Sequence, residues 1–309
     1  DQSNVTSYAA TIVTVITCEA FAGIWINAFI ISVICMAWIK RKTLNSNEKI
    51  LLLLACSRVW YLCFSWVYSF LSIIYPPFLY VHPRLQLVVS LQAFFNFSNL
   101  WVSVCLCVFY CIKIANFRNN FFIYLKVKID RIVPWLLLGS LLFSLVIGIV
   151  VYDVTNKVHC NINSTGQNSF WKPKIKMDKH FFPSFFLTGF GFAVSFMAII
   201  FSALLLLFSL WRHKRNMQTN SMTDLSMETH IRAMKSILSF LVTYSINFSS
   251  LILDMVYATQ KGSPAVFLII VLRYAFPGVH SLILIFSNPK LEKRLLRILP
   301  CVKFSICMR

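Results

Sequence analysis

Four charged residues stand where charge is costly. Glu19, Arg58, Asp254 and Arg273 each interrupt a long apolar run of the 309-residue chain. Within lipid such a group needs a partner, and it marks an ion path, a ligand site or a packing lock. Asn27 and Arg58 form the first set. At 1.5 Å rise per residue each lies about 18 Å from the inner end of its run, so a cross-helix hydrogen bond between them is expected. A structural lock and a switching role fit that bond equally well. Glu19 and Arg273 form the second set, about 16 Å and about 13 Å below the outer ends of the first and seventh runs. An ion pair is expected if those runs are neighbours, with Asp254 competing for the same arginine from a shallower position. Gln92, Asn96 and Asn99, with Asn247, form the third. Gln92 and Asn96 are one helical turn apart and share a face, among Phe94, Phe95, Phe97 and Trp101. A mostly apolar cavity with a few orienting amides suits a small molecule. The outer half of the third run has no acid, which argues against an amine ligand.

Signals for catalysis are missing. The chain holds no HExxH, GxSxG or P-loop pattern, and Gly189-Phe190-Gly191 is a lone GxG whose simplest use is close helix packing. A proton relay would want several linked acids, and only Glu19 and Asp254 qualify. Cys107 and Cys111 share a helical face at i, i+4, which a metal could use, but buried thiols of this kind are ordinary core residues. No cofactor and no metal are expected. Of ten cysteines only Cys160 falls in an outside loop, so an extracellular disulfide has no pair.

The elements that must hold these residues follow from composition. The hydrophobic set makes up 58% of the chain and charged residues 13%, with mean hydropathy +0.73. Soluble domains run about 45–50% apolar and about 25% charged, so a water-soluble enzyme is excluded. A nucleic-acid partner is not expected despite a net charge of +19, because cytoplasmic loops of membrane proteins carry the same excess. About 20 apolar residues cross a bilayer, and seven runs qualify, at about 8–39, 48–74, 85–116, 131–152, 181–211, 231–258 and 264–287. The first reads as a span rather than a cleaved leader, being too long and followed by Lys40-Arg41-Lys42. With the N-terminus outside, inside segments hold 20 Lys and Arg against 7 outside, with Arg58 and Arg273 in the spans. The sequons at Asn4 and Asn163 then fall outside, the second in a loop at about 153–180. Those at Asn96 and Asn247 lie at membrane depth and are discounted. Asn288-Pro289 breaks the last span, and Leu291, Leu295, Ile298 and Leu299 recur at helical spacing among Lys290, Lys293, Arg294 and Arg297. This predicts a tail helix at about 289–300 lying on anionic lipid, with Cys301 and Cys307 placed for palmitoylation. The fold class is an all-α membrane protein: a seven-transmembrane helix bundle with a short amphipathic C-terminal helix, in one domain of residues 1–309. Residues alone lead to a seven-helix receptor for a mostly apolar small molecule. A transporter or proton pathway using Glu19, Asp254 and Arg273 is the alternative, and a membrane enzyme is disfavoured.

Motifs then add a resemblance. The third span ends Phe109-Tyr110-Cys111-Ile112-Lys113-Ile114-Ala115-Asn116-Phe117, and the seventh reads Phe276-Pro277-Gly278-Val279-His280-Ser281-Leu282-Ile283-Leu284-Ile285. With Leu54-Ala55-Cys56-Ser57-Arg58 and Leu206-Leu207-Phe208-Ser209-Leu210, these closely resemble the bitter taste receptors, the type 2 taste receptor family. The resemblance covers all seven spans. It implies a multi-pass plasma-membrane glycoprotein with an extracellular N-terminus. Its partners would be a bitter agonist, membrane lipids and a heterotrimeric G protein of the gustducin or inhibitory type. Asn96 matches the family's third-helix ligand asparagine, and Asn163 its second-loop glycan. Gln92 stands where many members have tryptophan, Asn247 where some have tyrosine, and Ile270 where some have glutamate. Arg273 and Tyr274 lie one turn deeper than Ile270. The expected ligand set is Gln92, Phe95, Asn96, Asn247, Ile270, Arg273 and Tyr274, with anionic amphiphiles favoured by Arg273. Asn27, Arg58, Glu19, Asp254, Trp101 and Pro277 are the expected structural or switch residues. Tyr110, Lys113, Ala115 and His280 match family positions near the G-protein face. Ser195 replaces a fifth-helix proline, so that helix is expected to run straighter.

Overall fold

The computed structural model describes the backbone of residues 2–114, 120–164, 181–218, 224–257 and 264–307, and the side chains of 9–114, 120–157, 188–212, 215, 237–253 and 267–298. Those residues are helical apart from short turns: α1 (Gln2–Arg41), α2 (Ser46–Ile74), a single-turn α3 (Pro76–Leu79), α4 (Arg84–Ile114), α5 (Asn120–Ser164), α6 (Phe181–Gln218), α7 (Asp224–Tyr257), α8 (Pro264–Ser287) and α9 (Pro289–Cys307). Six of them, α1, α2, α4, α5, α6 and α8, have described stretches long and apolar enough to cross a membrane, and α7 contributes a shorter apolar stretch at Ile237–Leu253. The seven long helices close into a ring. α1 packs on α2 and α8, α7 on α6 and α8, and α4 is wedged between α2, α5 and α6.

Side chains are distributed as lipid demands. Trp25, Trp135, Met197 and Phe201 point outward and are largely exposed, while the interior holds both apolar and polar groups. That is the inverse of a water-soluble bundle and needs a hydrocarbon solvent around it. Two clusters fill the inside. One joins Ile30, Leu54, Leu106, Phe109, Ile129, Leu284 and Leu291 toward the α9 end. The other joins Phe97, Ile147, Phe192, Tyr244 and Phe276 at mid-depth. Small residues set the closest approaches. A Cβ on Gly278 would lie 3.4 Å from the Gly23 Cα, so α1 and α8 touch backbone to backbone. A Cβ on Gly191 would meet the Phe97 ring at 3.0 Å, the close packing that its GxG suggests.

The helix ends are stapled at the basic end. α1 stops where Lys42 takes a left-handed φ of 55° and its N–H bonds the Trp38 carbonyl at 2.7 Å. The Glu48 carboxylate then accepts from the Asn45 N–H at 3.1 Å and from Arg41 at 2.6 Å, with Lys290 Nζ at 3.9 Å. This ties the end of α1 to the starts of α2 and α9. Asn288 caps α9, its side-chain oxygen accepting from the Lys290 N–H at 3.1 Å and its carbonyl from the Glu292 N–H at 2.9 Å. Leu291 is buried beneath while Lys293, Arg294 and Arg297 are exposed, as expected of an amphipathic tail.

One span differs from expectation at its outer end. α5 continues as helix to Ser164, twelve residues beyond the expected end of its span. The loop expected from about 153 therefore begins as helix, and Asn163 lies on it. α6 is continuous through Ser195, whose hydroxyl donates to the Phe192 carbonyl at 2.8 Å without interrupting the helix.

Candidate functional site

Arg58 is fully buried and makes three side-chain contacts. Its Nε donates to Asn99 Oδ1 at 2.9 Å, one terminal nitrogen to Ser281 Oγ at 2.7 Å, and the other to His280 Nδ1. The direct Asn27–Arg58 bond expected from their common depth does not form. Ser281 stands between them and donates to Asn27 Oδ1 at 2.7 Å, while Asn27 donates back to the Gly23 carbonyl at 2.8 Å. One chain of polar contacts thus links α1, α2, α4 and α8. Glycine makes it possible, because Gly23 is one turn from Asn27 and Gly278 one turn from Ser281. Asn99 belongs to this lock rather than to the face it would share with Gln92 and Asn96.

His280 is also placed differently. It is 0% exposed, with its ring 4.5 Å from that of Phe240 and 5.2 Å from that of Tyr244, so it is part of the lock rather than of an exposed basic-end surface. Tyr110 and Lys113 do lie at that end. Tyr110 donates to Asn47 Oδ1 at 3.1 Å, and Lys113 pairs with Asp130 at 2.6 Å. Ala115 lies outside the described residues. Above Tyr110 a small apolar cavity of about 60 Å³ separates α4, α6, α7 and α8, bounded by Leu106, Leu206, Ile237, Phe240 and Leu284.

On the other side of the lock, α2 presents Tyr61, Ser65 and Ser69 as one stripe at i, i+4 and i+8. Each meets a residue expected in the ligand set. Arg273 Nε donates to Tyr61 Oη at 3.2 Å, Gln92 donates to Ser65 Oγ at 3.0 Å, and Tyr274 shares a hydrogen bond with Ser69 at 2.8 Å. Phe95 and Ile270 pack on the same cluster as Tyr61 and Tyr274. Phe95 also stacks on Phe64 at 5.7 Å. Asn96 and Asn247 are half-buried on α4 and α7. Sequence reasoning missed the three α2 residues, although hydroxyls repeating every four residues in an apolar helix are a usable signal.

Glu19 and Arg273 do not pair, although α1 and α8 are neighbours. Arg273 turns toward α2, and one buried Glu19 oxygen has no hydrogen-bond partner. The Asp254 side chain, those of Asn4 and Asn163, and Cys160, Cys301 and Cys307 lie outside the described side chains. Trp101 edges onto Phe143 at 5.2 Å, and Pro277 sits inside α8 within the Arg58 level. Cys107 and Cys111 are both buried in the core.

The family model described as Taste receptor protein (TAS2R) matches residues 5–303. The chain belongs to this taste receptor family. It is 33% identical over 297 residues to Taste receptor type 2 member 9 of Homo sapiens, covering 95% of each chain. Against Taste receptor type 2 member 7 of Macaca mulatta it is 32% identical over 286 residues, covering 91% of this chain and 90% of that one. This is the family that FYxxKIANF and PxxHSxIL resemble. The taste receptor is a multi-pass membrane protein, and the residues of its lock and α2 stripe all fall within the match.

Proposed function

We propose that this taste receptor sits in the plasma membrane with its N-terminus outside, binds bitter small molecules in the outer half of the ring, and activates a G protein of the gustducin or inhibitory type at its basic end. The observation that carries this reading is the α2 stripe. Arg273, Gln92 and Tyr274 converge on Tyr61, Ser65 and Ser69 from two other helices, just above the Arg58 lock. A ligand that displaces one of these contacts acts directly on helices the lock holds together. It shifts the receptor toward an active state only by its differential affinity for that state. Asn96, Asn247, Ile270 and Phe95 complete the pocket, with Asn4 and Asn163 glycosylated. The 20-to-7 excess of Lys and Arg supports the orientation. At the basic end the small apolar cavity beside Tyr110, between α4, α6, α7 and α8, is the place where a partner segment would enter. A proton pathway finds less support, since Glu19 pairs with no acid or base among the described residues.

Calcium imaging of cells expressing the receptor, with and without a co-expressed promiscuous G protein, tests the reading against a bitter-compound panel. Responses are expected only with the G protein. Transport or charge movement without it would end the proposal, as would an amino-terminal tag reachable only after permeabilisation. Arg273 adds a ligand prediction. A charge-assisted hydrogen bond is worth about 1.5–3 kcal/mol, so Arg273→Ala should weaken anionic agonists by roughly 10- to 100-fold and neutral ones far less. Equal shifts in dose–response midpoint for both classes would remove the anion preference.

A further inference from the structure

The basic end holds a second cavity, larger than the one beside Tyr110. It measures about 280 Å³ and is lined by Asn45, Asn47, Glu48, Asn288, Pro289 and Lys290. It therefore lies where α2 and α9 begin, next to the end of α1. Its amides are half used. Asn47 Oδ1 accepts from Tyr110, and Asn288 Oδ1 accepts from the Lys290 N–H. No hydrogen bond among the described residues uses the side-chain nitrogen of either, so each still offers two N–H donors. The Glu48 carboxylate is already answered, by Arg41 at 2.6 Å and the Asn45 N–H at 3.1 Å. Lys290 stands farther off at 3.9 Å, with its side chain 74% exposed.

Cations gather on the segments that form this cavity. Lys42 follows Arg41 in the turn between α1 and α2 and is exposed. Lys293 and Arg294, also exposed, lie three and four residues after Lys290 and share its side of α9. Glu48 and Glu292 are the carboxylates there. Farther along α9, Leu296 and Ile298 are exposed although apolar. An amphipathic helix places such residues at the boundary between headgroups and acyl chains. The start of α9, and the cavity with it, then stands at the level of the inner headgroups. Basic clusters at that level attract anionic lipid. The cavity adds selectivity. A phosphatidylserine head brings its own ammonium, which Lys290 repels. A phosphorylated inositol ring brings only phosphates and hydroxyls, the acceptors that lysines and amide N–H groups require.

We propose that the cavity between the α1–α2 turn and the start of α9 is a headgroup site for an inner-leaflet phosphoinositide carrying two or more ring phosphates. The phosphates engage Lys42, Lys290, Lys293 and Arg294, and the Asn47 and Asn288 amides donate to the ring oxygens. The lipid thus ties α9 to α2, and through Asn47 it bears on Tyr110.

The site rests on the proposed orientation, with the basic end inside. Binding to purified receptor does not sense orientation, so its failure leaves that reading standing. The test is native mass spectrometry of the full-length receptor with dioctanoyl phosphatidylinositol bisphosphate, against dioctanoyl phosphatidylserine and soluble inositol trisphosphate. One bisphosphate lipid is expected to be retained at concentrations where the other two are not. Lys290→Gln and Lys293→Gln should each weaken it roughly five-fold. Asn288→Asp keeps the acceptor that caps α9, removes a donor and adds a negative charge to the cavity. It should weaken the lipid by a similar factor while leaving the unfolding temperature unchanged. Lys128→Gln, the same change of charge on α5, should have no effect. Equal retention of phosphatidylserine, or equal losses in the α5 and cavity variants, would overturn the site in favour of diffuse attraction to the basic surface. Inositol trisphosphate bound as tightly as the lipid would overturn the lipid as its occupant.

Discussion

Arg58→Ala is expected to destabilise the receptor by about 3–5 kcal/mol, the cost of removing one member of a buried charged network. Two effects oppose each other. Removing the guanidinium ends the expense of holding a charge in a low-dielectric interior. It also leaves Asn99, Ser281 and His280 without the donor they share, at about 1–3 kcal/mol for each orphaned group, and opens a cavity where one of the largest fully buried side chains stood. The second effect wins because three partners remain and all are buried. Arg58→Lys should fall between, since an ammonium keeps the charge without the planar fork that reaches α4 and α8 together. Thermal unfolding of purified receptor and the surface-to-total ratio in cells both read this. An Arg58→Ala protein that unfolds at the wild-type temperature would mean the network stabilises nothing. A protein that folds normally with altered basal signalling would make it a switch rather than a lock.

The sequence makes depth in the membrane legible, but not the direction in which a side chain points. Depth in the membrane is a count of residues. The spans, the common level of Asn27 and Arg58, and the break at Asn288-Pro289 could all be read that way, and the helices follow them. The direction a side chain takes around its helix is settled by the neighbours. Gln92, Asn96 and Asn99 look like one set at helical spacing. Yet Gln92 reaches Ser65, and Asn99, two turns deeper, is held by Arg58. Arg273 and Glu19 have compatible depths on adjacent helices and still do not meet, because Arg273 leans to Tyr61 on α2. Ser281 was invisible as a bridge because serine is common in membrane helices, and only the Gly23–Gly278 approach gives this one its place. His280 was carried to the basic end by its motif, and packing against Phe240, Tyr244 and Phe276 puts it inside instead. The extension of α5 to Ser164 has no apolar run to announce it, since a helix leaving the bilayer no longer needs one.

The close α1–α8 contact supplies the second large effect, and it separates geometry from chemistry. Gly278→Ala adds a Cβ 3.4 Å from the Gly23 Cα and 3.7 Å from Ile26 Cδ1, ordinary contacts that need at most a slight shift. Gly278→Leu places three more carbons where the facing helix already stands, and overpacking of this kind costs about 1–3 kcal/mol. The helices must part, and the first bond to feel it is the one from Ser281 to Asn27, at 2.7 Å and one turn away. Arg58 would then lose its route to α1 while keeping Asn99 on α4. The expected series of unfolding temperatures is wild type close to Gly278→Ala, and both well above Gly278→Leu. A double-mutant cycle gives the sharper result. Ser281→Ala alone should destabilise by about 1 kcal/mol, the worth of a typical hydrogen bond. In the Gly278→Leu background it should cost almost nothing, because the bond it removes is already broken. Full additivity of the two substitutions would show that the glycine contact and the polar chain are independent, and that the spacing of α1 and α8 does not hold the lock in place.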